Sequence, residues 1–361
     1  MKKCDKFLIV IIILLLAIGI IEVFSSSYYL NVKDSTNNIV ISHIRSVLIG
    51  LFSMIVFFLV PYKFFKKIAL FLIFPLFIGF ILLETNLAIT ANGSTRWVSL
   101  PGFTYMPSEW AKLFVIIIMA KLLAMRKNFI KKFFIGILPY FIFISIVVFL
   151  IYIQPNMSDA VIVLGISAGM IFIAGMKWIQ IFGLSGLAFG LVWYMIKSSS
   201  YRYKRFLTFK DPFKDPIDFG WQNVQSLYAL GSGGFFGVGL GLSTQNKLYL
   251  PEPQNDFILA TIAEEWGFLG IVLLLILYSL LLYKGFKIAL KTKDLFAFFL
   301  ASGITLMIGL HVIINFLVVG SLMPVTGITL PLISFGGNSL LVVLSGLGIL
   351  LNISKSVKSE V

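Results

Sequence analysis

Charge is scarce in this chain. Only 12% of its 361 residues are Asp, Glu, Lys or Arg, while 59% are hydrophobic, which excludes an ordinary soluble domain. Cysteine is scarcer still, and the single thiol, Cys4, excludes a disulfide framework and offers no thiol chemistry. The two histidines, His43 and His311, stand too far apart to suggest a metal cluster and read as satisfied polar residues. Acidic residues number 15 against 29 basic ones, for a net charge of +14. In a soluble chain that excess would suggest nucleic acid. Here most basic residues lie in short segments between apolar runs, as a topology signal requires, so no nucleic-acid partner is expected.

What remains is apolar sequence in spanning lengths. Ten runs are predicted, at about 7–24, 44–61, 65–84, 107–125, 133–152, 158–175, 178–197, 256–283, 295–320 and 332–353. The first lacks an A-x-A site, contains Glu22, and is read as a retained helix rather than a signal peptide. With the N-terminus in the cytoplasm, the inner segments hold Lys2, Lys3, Lys6, Lys63, Lys66, Lys67, Lys131, Lys284, Lys287, Lys355, Lys358 and others. The short outer segments hold only Lys33, Arg45, Arg96, Lys112 and Lys197. Asp5, Asp294 and Glu360 are the acids placed clearly inside. The expectation is one all-α polytopic unit over 1–361, with both termini cytoplasmic. A large extracytoplasmic loop, about 198–255, separates helices 7 and 8.

The stretch Leu248–Gly270 organises the chain, because an acid within a spanning segment marks a function by default. Asn255 is expected to cap a helix carrying Asp256 in its first turn, and Asp256, Ala260, Ala263 and Gly267 then share one face of small residues. Glu264 flanks that strip about 12 Å deeper, and Glu265 points away toward a structural partner.

Four other stretches carry polar or backbone signals. In Asn92–Leu113, Asn92-Gly93 and Pro101-Gly102 read as turns, and Pro107 opens a helix. Glu109 and Lys112 can pair at i, i+3, and Arg96 beside Trp97 suits an anionic lipid head group or an interfacial belt. In Tyr152–Ala160, Gln154-Pro155 ends one helix and Ser158 or Asp159 starts the next. Arg202, Lys204 and Arg205 form a basic cluster suited to a phosphate or pyrophosphate, or to anionic lipid. The glycines at 231–241 lack a strand or GK[ST] context. They read instead as backbone packing closely on helices or substrate. In Asn315–Leu341, glycines and prolines interrupt apolar sequence, either to line a cavity or as a simple hairpin.

Taken together, NGSTRWVSLPG…MPSEWAKL, GSGGFFGVGLGLS, LPEPQNDFILATIAEEWGFLG and MPVTGITLPLISFGGNSLL resemble the SEDS family, which includes FtsW, RodA and SpoVE. The wording around LPEPQNDF is closer to FtsW and SpoVE. The chain departs from the family's QPD-x-G-T at Gln154–Asp159, so no role is carried over to that turn. It has Met106 where a Gln is common, and Gln254-Asn255-Asp256-Phe257 where H-T-D-F or Q-T-D-F is usual.

The resemblance implies a peptidoglycan glycosyltransferase polymerising lipid II at the outer face of the bacterial cytoplasmic membrane, in division or a related process. Its implied partners are a class B penicillin-binding protein and other division or elongation proteins. Such chemistry needs a base for the acceptor hydroxyl and positive charge for the departing pyrophosphate. Asp256 is the candidate base. Arg96, Trp97, Lys112, Arg202 and Arg205 are candidate substrate contacts, with Glu109 and Glu264 in support. A divalent cation (Mg or Mn) on Asp256 is compatible with the oxygen ligands available. The rival readings are a lipid II flippase and a non-catalytic scaffold for a transpeptidase.

Overall fold

The computed structural model describes residues 5–357, apart from 34–37, 92, 102, 131 and 248. Readings that fall on Lys2, Lys3, Cys4, Asn92, Gly102, Lys131, Lys358, Glu360 and the side chain of Lys33 lie outside the described residues. In hydrocarbon every backbone polar group must be satisfied within the chain, so long apolar runs become helices. The first half of the chain holds α1 (Lys6–Lys33), α2 (Ile39–Leu59), α3 (Tyr62–Ile68), α4 (Ile73–Leu82), α5 (Pro107–Arg126), α6 (Leu138–Ile153) and α7 (Met157–Ile173). After it come α8 (Trp178–Lys197), α9 (Ser200–Lys210), α10 (Trp221–Ser232), α11 (Ile258–Leu290), α12 (Leu295–Val319) and α13 (Gly337–Val357).

All ten apolar runs are mainly helical, with changes at their ends. The run at 65–84 is a pair, α3 and α4, bent by 71°. Residues 332–336 precede α13, and α11 continues to Leu290. Among the described residues six helices are long and apolar enough to cross a membrane alone, or seven if the bent pair is one span. The chain is a polytopic helical membrane protein.

The caps follow short polar side chains. Asn38 accepts from the Ile41 N–H, Asp294 from the Phe296 N–H, and Pro107 opens α5. The cap of α7 is Asn156, which accepts from the Asp159 N–H, rather than the expected Ser158 or Asp159.

α12 lies at the centre, packed on α5, α7, α11 and α13, and α2 lies along α13. The segment read only as turns between α4 and α5 is a small antiparallel sheet: β1 (Ala88–Ala91), β2 (Ser94–Leu100) and β3 (Phe103–Tyr105), in the order β1-β2-β3. At the end of the bundle far from Asp256 along α11, Lys284 pairs with Asp5 at 3.3 Å, and Lys66 pairs with Asp294 at 3.2 Å.

α11 is not continuous. Gly267 has φ +65° and ψ −159°, so the expected unbroken strip of small residues ends there. The glycine-rich loop supplies what the helix loses. Phe268 and Leu269 N–H donate to the Gly234 and Phe235 carbonyls, and Val238 and Gly239 N–H donate to the Glu264 and Glu265 carbonyls. Gly233 and Gly237 press on the Ala263 and Glu265 carbonyls so closely that a Cβ has no room. The occupant of the small-residue face is thus the chain's own loop.

Candidate functional site

The turn before α11 is built on Glu252. Its carboxylate accepts from Asn255 Nδ2 at 2.6 Å and from Gln254 Nε2 at 3.1 Å. Asn255 therefore does not cap α11, which starts at Ile258 with Phe257 at its N-cap. Asp256 stands before the helix instead of in its first turn, half-buried.

A loop segment and α12 meet at it. The segment Val325–Ile328 runs past the carboxylate, with Gly327 at φ +72° and its missing Cβ position 3.9 Å from Asp256 Oδ2. The segment is pinned by its carbonyls. Arg205 Nη1 of α9 donates to Val325 O at 3.4 Å, the Ser158 hydroxyl of α7 donates to Thr326 O, and Asn315 Nδ2 of α12 donates to Ile328 O at 2.8 Å. Asn315 Nδ2 also donates to the Asp256 carbonyl at 2.8 Å.

Burial pushes the Asp256 carboxyl up from 3.8 to about 6. That value is the balance of burial with a hydrogen bond from its own backbone N–H, which lowers it, the Glu252 charge, which raises it, and the Arg205 guanidinium, which lowers it. A carboxylate with a pKa near the working pH is suited to take a proton from a hydroxyl.

The other expected contacts are dispersed. Arg202 does not join Arg205. It stacks on the Tyr152 ring, 4.7 Å from its centroid, and donates to Met195 O at 3.2 Å, tying α9 to α6 and α8. Arg96, on β2, donates to Gln154 O at 3.4 Å and Pro155 O at 2.5 Å, clamping the sheet onto the α6–α7 turn. Trp97 is half-buried beside it in β2, paired with Ile89 of β1.

Lys112 is enclosed. Its ammonium, 1% exposed, lies 2.8 Å from Glu109 Oε2, 3.0 Å from Asp159 Oδ1 and 3.2 Å from His311 Nε2. That geometry leaves no face for a substrate, and it corrects the grouping of Lys112 with the arginines. Glu109 serves that buried cluster. Glu264 accepts from Ser243 Oγ and from Thr244 N–H at 2.9 Å, so it anchors the loop before α11 rather than supporting Asp256. Glu265 does hold a structural partner, the Ser25 hydroxyl of α1, and also Asn246 Nδ2 at 3.2 Å.

His311 is satisfied by Lys112 and by Met307 O at 2.7 Å. His43 is not. It is buried against Phe335, with neither ring nitrogen hydrogen-bonded among the described residues. Asn315, the residue most directly bonded to the Asp256 turn, was missed by sequence reasoning. The available signal was a carboxamide inside an apolar helix, which must find partners for two N–H groups.

A bundle of membrane-crossing helices with a carboxylate beside a bent loop that an arginine pins defines a class, a polytopic membrane protein with a polar site at one end. The model of the cell cycle protein family of FtsW, RodA and SpoVE matches residues 5–359, and the chain belongs to that family. The Geobacter sp. (strain M18) protein "Probable peptidoglycan glycosyltransferase FtsW" is 37% identical, covering 98% of this chain and 97% of its own. The stage V sporulation protein E of Bacillus subtilis (strain 168) is 38% identical, covering 97% of each. A solved chain described under the structural coordination of polymerisation and crosslinking by a peptidoglycan synthase complex matches with a TM-score of 0.81. It is 27% identical and 99% of each chain is covered. The crystal structure of Thermus thermophilus RodA matches at 0.67, with 26% identity, over 98% of this chain and 97% of that one.

Proposed function

We infer that this chain is a peptidoglycan glycosyltransferase of wall synthesis that polymerises lipid II, with Asp256 as general base. The observation that carries the mechanism is the Asp256 carboxylate facing Gly327 of the Val325–Ile328 segment, which is pinned by Arg205, whose charge also acts on that carboxylate. The acceptor's 4-hydroxyl attacks the anomeric carbon of the donor, the carbon–oxygen bond to the pyrophosphate breaks, and the hydroxyl proton passes to Asp256. The pyrophosphate departs on its undecaprenyl chain. Arg205 supplies the positive charge that acts on Asp256, and Arg96 and Arg202 shape the surrounding turns.

A divalent cation has no complete cage of protein ligands among the described residues. Among the described residues no three His, Cys, Asp or Glu side chains cluster to hold one, and Glu252 is engaged by its neighbouring amides. Asp256 is the one carboxylate of the turn left to such an ion, and no step is routed through it.

The relatives' names and the synthase-complex neighbour support a crosslinking partner, which we take to be a class B penicillin-binding protein. The site end of the bundle is read as facing outward from the bacterial cytoplasmic membrane.

The test is the purified full chain, alone and with its partner, given labelled lipid II. Glycan strands from the parent chain and none from Asp256→Asn, at equal folded protein and partner binding, are expected. Transbilayer movement of lipid II without glycan would favour the flippase. Strands at the normal rate from Asp256→Asn would overturn the base assignment.

A further inference from the structure

We propose that Asn315 is the positioning residue for Asp256, an inference that rests on the reading of Asp256 as base. Asn315 is 1% exposed, on the face of α12 one turn beyond His311. A carboxamide nitrogen carries two hydrogens, and here both are spent on backbone carbonyls of two different non-helical segments, Asp256 O and Ile328 O, each at 2.8 Å. One side chain therefore joins the turn that presents the base to the loop lying against that base. Gly327, between the pinned carbonyls of Thr326 and Ile328, faces Asp256 Oδ2.

Neither segment has a regular ladder of its own to hold this separation. The Asp256 turn precedes α11, and Val325–Ile328 lies outside helix or strand. The distance from carboxylate to loop, which sets where an acceptor hydroxyl fits, thus depends on a shared donor anchored in the central, largely buried helix α12. A misplacement of about 1 Å costs on the order of 10²-fold in rate.

No smaller or isosteric residue repeats the arrangement. Ala removes both donors. Asp keeps the shape but turns a carboxylate oxygen toward two carbonyls. Asn315 also belongs to a continuous polar face, because His311 one turn earlier meets Lys112, which is bound to Asp159 beside the Ser158 that holds Thr326. The buried ion cluster and the turn that carries the base are therefore both contacted by one helix, α12, through His311 and Asn315.

The experiment compares Asn315→Ala and Asn315→Asp with the parent and with Asp256→Asn, as full-length chains with the crosslinking partner and labelled lipid II. Turnover is expressed per folded molecule. Expected for Asn315→Ala is a fall in kcat of about 10²-fold with KM within about threefold, and a displaced acid limb of the pH–rate profile. Asn315→Asp should be at least as impaired. A merely structural role would lower the folded fraction while leaving per-molecule kcat and the acid limb unchanged, and that result overturns the proposal. So does unchanged kcat in a well-folded variant. Should Asn315→Ala fold too poorly to assay, Asn315→Ser, which keeps one donor, must give an intermediate kcat, and full turnover there also overturns it. Activity in Asp256→Asn would instead remove the base assignment, a separate failure seen in a separate variant.

Discussion

Lys112 Nζ lies 3.0 Å from Asp159 Oδ1 in the buried contact of α5 with α7, with Glu109 Oε2 2.8 Å away on the same ammonium. Deleting that charge strands two buried carboxylates, at a cost of about 3–5 kcal/mol. Lys112→Met should lower the thermal midpoint and the folded yield while the surviving molecules keep their KM for lipid II. A normal midpoint with a raised KM would return Lys112 to the substrate contacts.

Arg205 and Arg202 should separate in a pH–rate profile. The acid limb of glycan synthesis is expected near pH 6, where Asp256 loses its proton. In Arg205→Ala the cation no longer opposes burial and Glu252, so the limb should move to higher pH as turnover falls. Arg202→Ala removes a stack on Tyr152 and should leave the limb in place.

Asp256 also has a stability signature. Its folded pKa, about 6, lies above the ordinary 3.8, so the folded chain takes the proton more readily than the unfolded one. The resulting stabilisation is complete below pH 3.8 and is lost as pH rises through 6. Asp256→Asn should therefore melt above the parent at pH 7.5, with the gap closing toward pH 4. The gap has a ceiling of about 3 kcal/mol, which partial solvent exposure reduces. Equal melting curves at both pH values would contradict the burial of the charge.

For orientation, Thr244 offers an exposed position in the loop before α11. Thr244→Cys in a Cys4→Ser background should react with an impermeant thiol reagent on intact spheroplasts. Reaction only after lysis would invert the topology.

The class of fold was legible because lipid leaves an apolar run few alternatives to a helix. The Glu109–Lys112 pair was legible as well, from i, i+3 spacing. Its third member, Asp159, comes from another helix, and no local spacing announces it. Asp256 stood out as an acid at the head of a spanning run, but its exact setting did not, because the Asn255 amide prefers Glu252 to the helix end. The hairpin of β1 and β2 carried its own signal, an Asn-Gly flanked by β-branched residues, which was read only as a turn. Gly267 looked like one more small residue on a helical face. Its left-handed backbone follows from a loop that reaches it from some thirty residues earlier.

The repair of α11 by that loop has a consequence for how the protein opens. Just after the break in the longest helix, Phe268 and Leu269 are completed by bonds to Gly234 and Phe235, and the loop is completed by bonds to Glu264 and Glu265 just before it. Neither can lose its partner and keep its own amides protected. Local opening of the glycine loop and fraying of α11 at the Gly267 break are thus a single event, and the amides of Val238, Gly239, Phe268 and Leu269 should exchange with deuterium at one common rate while α11 farther from the break stays protected. Gly237→Ala, with no space for the added methyl, should speed exchange in both stretches together.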